Sequence, residues 1–504
     1  MNELDLCFTL ELAEGLAFAN PFVNQRTLLE QKVIDHFGQT KKRNPRFVEI
    51  DKHFDQVLYW FSRAEDSLLA GSSEILKSAK WSKRKGALAY FCLFHEMLPE
   101  LDSLCFGRES SGARTRSVFR FLEKGIQKRK KIIENDANSL WKSPAHLFAC
   151  FYQLRRSYLY VSSGIRGQSR PIQDLRSRVW QSIFTRDMLS YQQWMYEVVG
   201  KFPTIILGPS GSGKEVVADA IARSRFIPYD EKKGEFSAKP DLVFHPVHLS
   251  SLSETLLESE LFGHKEGSFT GAIRDHKGVF QTAGKHGSVF LDEIGEVPEA
   301  VQVKLLRILQ SGEFQPIGAE QKSFFQGKVI AATHRNLNER MHSGKMREDF
   351  FYRLCGDQIK TVSLREILDD SPKEMNVFIS FISQKLFGKK GGEELRPRIS
   401  TVLADSLPED YPWPGNFREL EQAVRNVVVT GQYHPPKSLS QSQGISNDYE
   451  HSTLSMDQWI SIYANQAYEN FGSYREAAKR IGVDQRTLKK WVLEERDSTS
   501  YSGK

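Results

Sequence analysis

Apolar positions follow two rhythms along this chain. Up to about residue 170 they recur every three or four residues, as in FDQVLYWFSRAEDSLL and SPAHLFACFYQLRRSYLYV, the spacing of helices that bury one face. From about residue 171 short apolar runs alternate with glycine turns and amphipathic stretches. The runs TIILG, LVFHPVHL, SVFLDE and KVIAATH are predicted strands, and EVVADAIARS, ETLLESELF and EAVQVKLLRILQ are predicted helices between them. That alternation defines an α/β domain with a parallel sheet. After QIKTVSL the helical rhythm returns and continues through LEQAVRNVVV. The stretch GQYHPPKSLSQSQGISNDYEH, rich in Ser, Gln, Gly and Pro, reads as a linker, and a short helical segment closes the chain.

A chain of 504 residues is too long for one core, so several domains are expected. No apolar run approaches the roughly 20 residues that span a bilayer. The start, MNELDLCFTLELAEG, carries acids where a secretory signal carries lysine or arginine. A cytoplasmic protein with no membrane partner is the expectation. The cysteines Cys7, Cys92, Cys105, Cys150 and Cys355 are scattered, with no CxxC pair, which argues against a disulfide framework or a zinc site. A net charge of +6 is compatible with nucleic acid without establishing it. The basic clusters KKRNPR, SKRKG and GIQKRKKII read as solvated faces.

The chemistry begins at TIILGPSGSGKE. Gly208, Pro209, Ser210, Gly211, Ser212, Gly213 and Lys214 have the spacing of a phosphate-binding loop, between a predicted strand and a predicted helix. Glycines let backbone N–H groups close around phosphate oxygens, the helix N-terminus adds its dipole, and Lys214 adds a cation. Glu215 stands where a magnesium-binding Ser or Thr is usual. SVFLDE ends a strand in two acids, Asp292 suited to hold Mg²⁺ and Glu293 suited to polarise a water. Together the two motifs predict a nucleoside triphosphatase.

In MREDFFYRL, Arg347 and Arg353 lie six positions apart on an expected helix, about 600° of rotation, so they do not share a face. Either pairs with Glu348 and Asp349, or one reaches a neighbouring subunit's γ-phosphate in a ring. In WPGNFREL, Arg418 sits in the first turn of a helix beginning near Asn416, unfavourable for the dipole and suited to a phosphate. Trp413 reads as a packing anchor.

Two segments point outward. In ELFGHKEGSFTGA, Gly267 and Gly271 bracket Ser268, Phe269 and Thr270, with Ala272 following; the aromatic is either a plug in the protein's own surface or a finger aimed at a partner. In NFGSYREAAKRIGVDQRTLKKWV, Ser473 and Glu476 have capping-box spacing, Gly482 makes a turn and Asp484 caps a second helix. Ile481, Val483, Leu488 and Trp491 are its expected core. That is a helix-turn-helix whose second helix offers Gln485, Arg486, Thr487, Lys489 and Lys490 to double-stranded DNA, with a protein-binding hairpin as the bland alternative.

These blocks, with GSVFLDEIGE, VKLLRILQSGEF and VIAATHRNL, resemble in content and order the bacterial enhancer-binding proteins, AAA+ activators of sigma-54 RNA polymerase with a Fis-type helix-turn-helix. The resemblance covers about residues 171–429 and the C-terminal segment. It implies a multidomain fold: a mostly α N-terminal region, an α/β AAA+ P-loop ATPase with a helical lid, and an all-α helix-turn-helix. The implied divisions are 1–170, a regulatory region of unknown signal; 171–365, the α/β subdomain; 366–432, the lid; 433–452, the linker; and 453–496, the DNA reader. The implied cofactors are ATP and Mg²⁺, and the implied partners are sigma-54 RNA polymerase holoenzyme, upstream double-stranded DNA and further copies of the chain in a hexamer.

The resemblance makes Lys214-Glu215 the normal end of the phosphate loop. It assigns the Gly267–Ala272 segment to sigma-54 contact through Phe269 and Thr270, Arg347 and Arg353 to trans-acting fingers, Thr333 and His334 to the first nucleotide sensor, and Arg418 to the second. The sequence departs from the family at Ser268 for alanine, at His248 for the asparagine that restrains the catalytic glutamate, and at Cys355-Gly356-Asp357 for an apolar stretch led by asparagine. FIPYDEKKGEFSAKPD lengthens a connection and is expected to make a surface excursion. The alternatives are a DNA-binding regulator that keeps the ATPase fold only to oligomerise, and a generic AAA+ remodelling ATPase, which explains neither the loop nor the DNA reader.

Overall fold

In the computed structural model, residues 1–38, 52–71, 79–106, 112–134, 139–435 and, with short breaks, 460–498 are described. They form two compact units, Met1–Tyr433 and His434–Lys504. Most of the 433–452 linker lies outside the described residues.

The first unit is built on a five-stranded parallel sheet: β1 (Thr204–Leu207), β2 (Phe244–His248), β3 (Ser288–Asp292), β4 (Lys328–Thr333) and β5 (Asp357–Lys360), in spatial order β2-β3-β4-β1-β5. The four apolar runs predicted as strands are strands. The fifth, β5, was not foreseen, because Asp357-Gln358-Ile359-Lys360 carries a single apolar residue and lies at the sheet edge. The period of two sorts the central strands between two cores. Ile206, Phe290, Ile330 and Ala332 face one, and Ile205, Val289, Leu291, Val329 and Ala331 face the other. The helices Lys214–Arg223, Glu254–Phe262 and Glu299–Ser311 form where their patterns predict.

The first of these cores continues without a break into the N-terminal helices, across the expected 170/171 division. The helix Pro144–Gly164 packs on the phosphate-loop helix Lys214–Arg223. Gln153 Nε2 donates to Ser224 O at 2.9 Å and to the Tyr191 hydroxyl at 2.8 Å. The stretch expected as a surface excursion is instead part of this junction. Tyr229–Asp230 and Glu235–Phe236 pair antiparallel. Tyr229 packs against Phe119 and Phe148 at 4.8 and 5.0 Å, and Phe236 stacks on Tyr152 at 4.2 Å. Arg116 Nη1 donates to Lys233 O at 2.9 Å. Two aromatics flanking a polar turn want burial, and the neighbouring helices supply it.

Asp357, in the departure from the family pattern, ties β5 to the helix Arg170–Phe184. It accepts from Thr204 Oγ1 at 2.8 Å and is bonded by Ser182 and Arg178. Burial would raise its pKa, yet Ser182, Arg178 and Lys328 hold it below the usual carboxylate range.

In the second unit the helices Tyr474–Ile481 and Gln485–Ser498 flank Gly482, which has φ +75°. Ala464, Ala467, Ala477, Ala478, Leu488 and Val492 are its buried centre; Ile481, Val483 and Trp491 pack around it only partly buried. Ser473 is the N-cap by backbone but makes no side-chain cap bond, so the expected capping box does not form. Asp484 does cap, accepting from Arg486 N at 2.6 Å and Thr487 N at 3.4 Å. Asp484→Ala is expected to cost the second helix about 1 kcal/mol. Hydrogen exchange of the amides that follow should quicken roughly fivefold; unchanged exchange would contradict the cap.

Candidate functional site

A cleft of about 580 Å³ opens where the phosphate loop, the end of β3 and the lid helix Asn416–Thr430 meet. Ser210, Gly211, Gly213, Lys214, Glu215, Asp292, Glu293 and Arg418 line it. The loop is shaped by its glycines. Gly211 has φ +73°, and a Cβ there would lie 2.2 Å from Gly415 O. The lid helix is anchored through that close approach: Phe417 N donates to Gly211 O at 3.1 Å, and Asn416 Nδ2 to Ser210 O at 2.9 Å. Asn416 has φ +51° and Trp413, buried as expected, has φ +49°. The turn at the lid is therefore strained, and these contacts hold it in place. Arg418 is exposed, with Nη1 donating to Ser210 Oγ at 3.3 Å.

Lys214 is buried, and its Nζ donates to Gly208 O and Pro209 O at 3.0 Å each. Burial lowers its pKa from the ordinary lysine value, against the pull of Glu293 and Asp292. A phosphate entering the loop offers the ammonium a charged partner in place of two carbonyls.

Asp292 and Glu293 follow each other but face different partners. Asp292 pairs in register with His248 on β2, whose Nδ1 lies 3.2 Å from Asp292 Oδ2. Glu293 turns away with φ +60°, a left-handed conformation unusual for a glutamate. That turn carries its carboxylate to His334, with Nδ1 at 2.8 and 2.9 Å from the two oxygens. His248, which departs from the family's asparagine, thus bonds Asp292, and His334, one residue past β4, makes the bond to Glu293. Thr333 is buried beside it, accepting from Arg335 N at 3.1 Å.

Asp292 is a hard oxygen donor at the mouth of a phosphate loop, which suits a magnesium ion that takes one carboxylate and completes its shell with phosphates and water. Among the described residues no group of three His, Cys, Asp or Glu assembles a site of its own. The five cysteines are free thiols.

Sequence reasoning missed Thr361. It follows β5, and its hydroxyl lies 2.6 Å from Ser212 Oγ and beneath Gly208, where a Cβ would meet Thr361 Oγ1 at 2.0 Å. The signal was a polar residue at the carboxyl end of an edge strand beside the loop.

Neither Arg347 nor Arg353 lines the cleft. Arg347 lies outside the helix Glu348–Leu354, as its N-cap, so the one-helix argument for the pair fails. It pairs with Asp349 at 3.0 Å and Glu299 at 3.4 Å. Arg353 is exposed on the helix.

In the Gly267–Ala272 loop, Gly267 N donates to Ala272 O at 2.8 Å and Ala272 N to Phe269 O at 3.0 Å, so the hairpin closes on itself. Phe269 is half-buried, its ring edge-on to His264 at 4.9 Å: the plug arrangement. Ser268 Oγ, against Gly318, is buried with no hydrogen-bond partner among the described residues. Leaving such a hydroxyl without a partner costs about 1–3 kcal/mol. Ile273, next along, is 85% exposed.

A phosphate loop, an acidic strand end and a helical lid on a β2-β3-β4-β1-β5 sheet define a P-loop ATPase domain of the AAA+ class. Residues 185–360 match the family model described as the Sigma-54 interaction domain. Through that domain the chain is related to the sigma-54-dependent transcriptional activators. It is 38% identical over 245 residues to the Nif-specific regulatory protein of Azotobacter vinelandii, covering 48% of this chain and 43% of that one. It is 41% identical over 230 residues to the hydrogenase transcriptional regulatory protein HoxA of Cupriavidus necator, covering 45% and 43%. Against the transcriptional regulatory protein ZraR of Escherichia coli it is 35% identical over 297 residues, covering 56% and 61%. The chain thus spans less than two thirds of each relative's length. Among the described residues no helix is long and apolar enough to cross a membrane.

Proposed function

We propose that this protein is a sigma-54-dependent transcriptional activator that binds upstream DNA and uses ATP hydrolysis to open the sigma-54 RNA polymerase closed complex. The observation that carries this reading is a cleft lined by Lys214, Asp292, Glu293 and Arg418 in the same domain as a self-closed Gly267–Ala272 hairpin with Phe269 at its tip. Lys214 and the loop amides bind the β- and γ-phosphates. Asp292 would hold a magnesium ion, which would supply charge neutralisation at the phosphates. Glu293 takes a proton from the attacking water, and His334 fixes where that carboxylate points. Arg418 reports the nucleotide to the lid.

Arg353, exposed and in no ion pair among the described residues, suits the finger presented to a neighbour in a hexamer, whereas Arg347 must first leave Asp349 and Glu299. Nucleotide binding lifts Phe269 from His264 towards sigma-54, with Ile273 widening the apolar contact. The helix Gln485–Ser498 presents Gln485, Arg486, Lys489 and Lys490, all exposed, and half-buried Thr487 to a major groove.

The test is capture of sigma-54 by the purified protein with a transition-state analogue of ATP, with ADP, and with no nucleotide. Capture is expected only with the analogue, and Phe269→Ala is expected to weaken it by about tenfold or more, the worth of one buried aromatic anchor. A protein that binds the analogue and forms rings yet captures nothing would favour the alternative, a DNA-bound regulator that no longer remodels sigma-54.

A further inference from the structure

Among the N-terminal helices lies a second cavity, of about 250 Å³ and partly open to solvent, remote in sequence from the phosphate loop. Phe54, Phe94, Tyr158 and Trp180 form an aromatic side of its wall, with His95 among them, and Arg26, Thr27, Glu30 and Arg155 line it as well. His95 packs 5.2 Å from both Phe54 and Phe94. An apolar cavity of about 150 Å³ is enough to hold benzene, so this one has room for a molecule of one or two rings.

Two arginines in the wall are already engaged. Arg26 Nε pairs with Glu30 at 2.8 Å, and its guanidinium lies 4.9 Å over the Phe54 ring. Arg155 Nη2 pairs with Asp102 at 2.8 Å, and its guanidinium lies 5.6 Å over Tyr158. Wall charges that are neutralised from within offer no counter-ion to a charged ligand, and desolvating such a ligand would go uncompensated. The occupant is therefore uncharged.

His95 adds direction. Its Nδ1 lies 2.7 Å from Phe91 O, a carbonyl that can only accept, so the proton is on Nδ1. Burial pushes the imidazole pKa down to about 3, so the ring is neutral. Nε2 is left carrying a lone pair. Among the aromatic residues of the wall, His95 is the one whose free polar atom can only accept, and it asks for a donor.

We propose that this cavity binds a small uncharged molecule with a planar apolar body and a single N–H or O–H donor. The position gives such a ligand a route to the ATPase. Leu154 and Tyr158 of the wall belong to the helix Pro144–Gly164, which also carries Gln153 and Ser157, both bonded to Ser224 O at the end of the phosphate-loop helix.

The test uses the full chain without nucleotide and reads heat by titration calorimetry, so failure of the ATPase reading leaves it intact. The probes are indole, benzothiophene (the same shape without the N–H) and indole-3-carboxylate (the same ring with a charge). Indole is expected to bind, and the other two about tenfold more weakly or worse. Ala17→Met, which fills the cavity from its rim, is expected to cut indole affinity about tenfold with the melting curve unchanged. His95→Leu should erase the preference for indole over benzothiophene. No heat from indole up to millimolar concentration, equal affinity for all three probes, or unaltered binding by Ala17→Met would each overturn the proposal.

Discussion

Glu293→Gln is expected to lower ATP hydrolysis by about 10²- to 10³-fold while nucleotide affinity stays within about threefold of the parent. The substitution removes the proton acceptor and little else. Glutamine has the same shape and can still accept from His334 Nδ1 through its amide oxygen, so the left-handed turn that places the side chain persists. Lys214, the loop amides and Asp292, to which the proposed function gives the binding, are untouched. A loss confined to turnover is the signature of an interaction that matters only in the transition state. The check is single-turnover hydrolysis beside equilibrium binding of a fluorescent ATP analogue. Hydrolysis within threefold of the parent would show that some other group activates the water.

Arg129→Leu is expected to destabilise the first unit by about 3–5 kcal/mol. Arg129 is almost fully buried, with Nε and Nη2 on the two oxygens of Glu65 at 2.7 and 2.9 Å and a further bond to Glu96 at 2.7 Å. Burial alone would lower its pKa, but Glu65 and Glu96 raise it above the ordinary arginine value, so the guanidinium stays charged. Leucine fills part of the volume and leaves Glu65, itself only 1% exposed, without its cation. Desolvation already raises the Glu65 pKa, and without Arg129 the group folds only by taking up a proton or carrying an unpaired charge. Pairing the change with Glu65→Leu removes the orphan and should restore much of the loss. Denaturant midpoints of the single and double variants measure both. A single variant within about 1 kcal/mol of the parent would show that the pair is solvated on opening rather than held dry.

The parts of this molecule legible in the sequence are those set by local pattern. TIILG, SVFLDE and KVIAATH read as strands because they are buried on both faces, and the phosphate loop reads from glycine spacing and Lys214 between a strand and a helix. What failed depended on the partner. Asp357–Lys360 becomes a strand only because β1 offers it an edge. FIPYDEKKGEFSAKPD looked polar enough for solvent, yet Tyr229 and Phe236 find aromatic neighbours that are distant in sequence. Arg347 looked helical, but the chain turns there to begin the helix. The pairing of Glu293 with His334 was hidden because it depends on one residue taking a left-handed backbone, which no propensity announces. The sequence leaves Phe269 open between plug and finger, and its packing on His264, a neighbour set by the tertiary fold, is the plug arrangement.

The Tyr229–Phe236 hairpin bears on how such a chain changes over generations. A regulatory segment joined to an engine by a flexible tether can be exchanged for another by recombination at the tether. Here the junction is made by chain continuity through the helix Arg170–Phe184, by the packing of Pro144–Gly164 on Lys214–Arg223, and by a hairpin that reaches back to Phe119, Phe148 and Tyr152. A crossover near residue 170 would import a new N-terminal half and leave the old hairpin facing a stranger. Inheritance of the two pieces is thereby linked: mutations at Tyr229 or Phe236 constrain those at Phe119, Phe148 and Tyr152, and the N-terminal helices and the ATPase core drift as a pair.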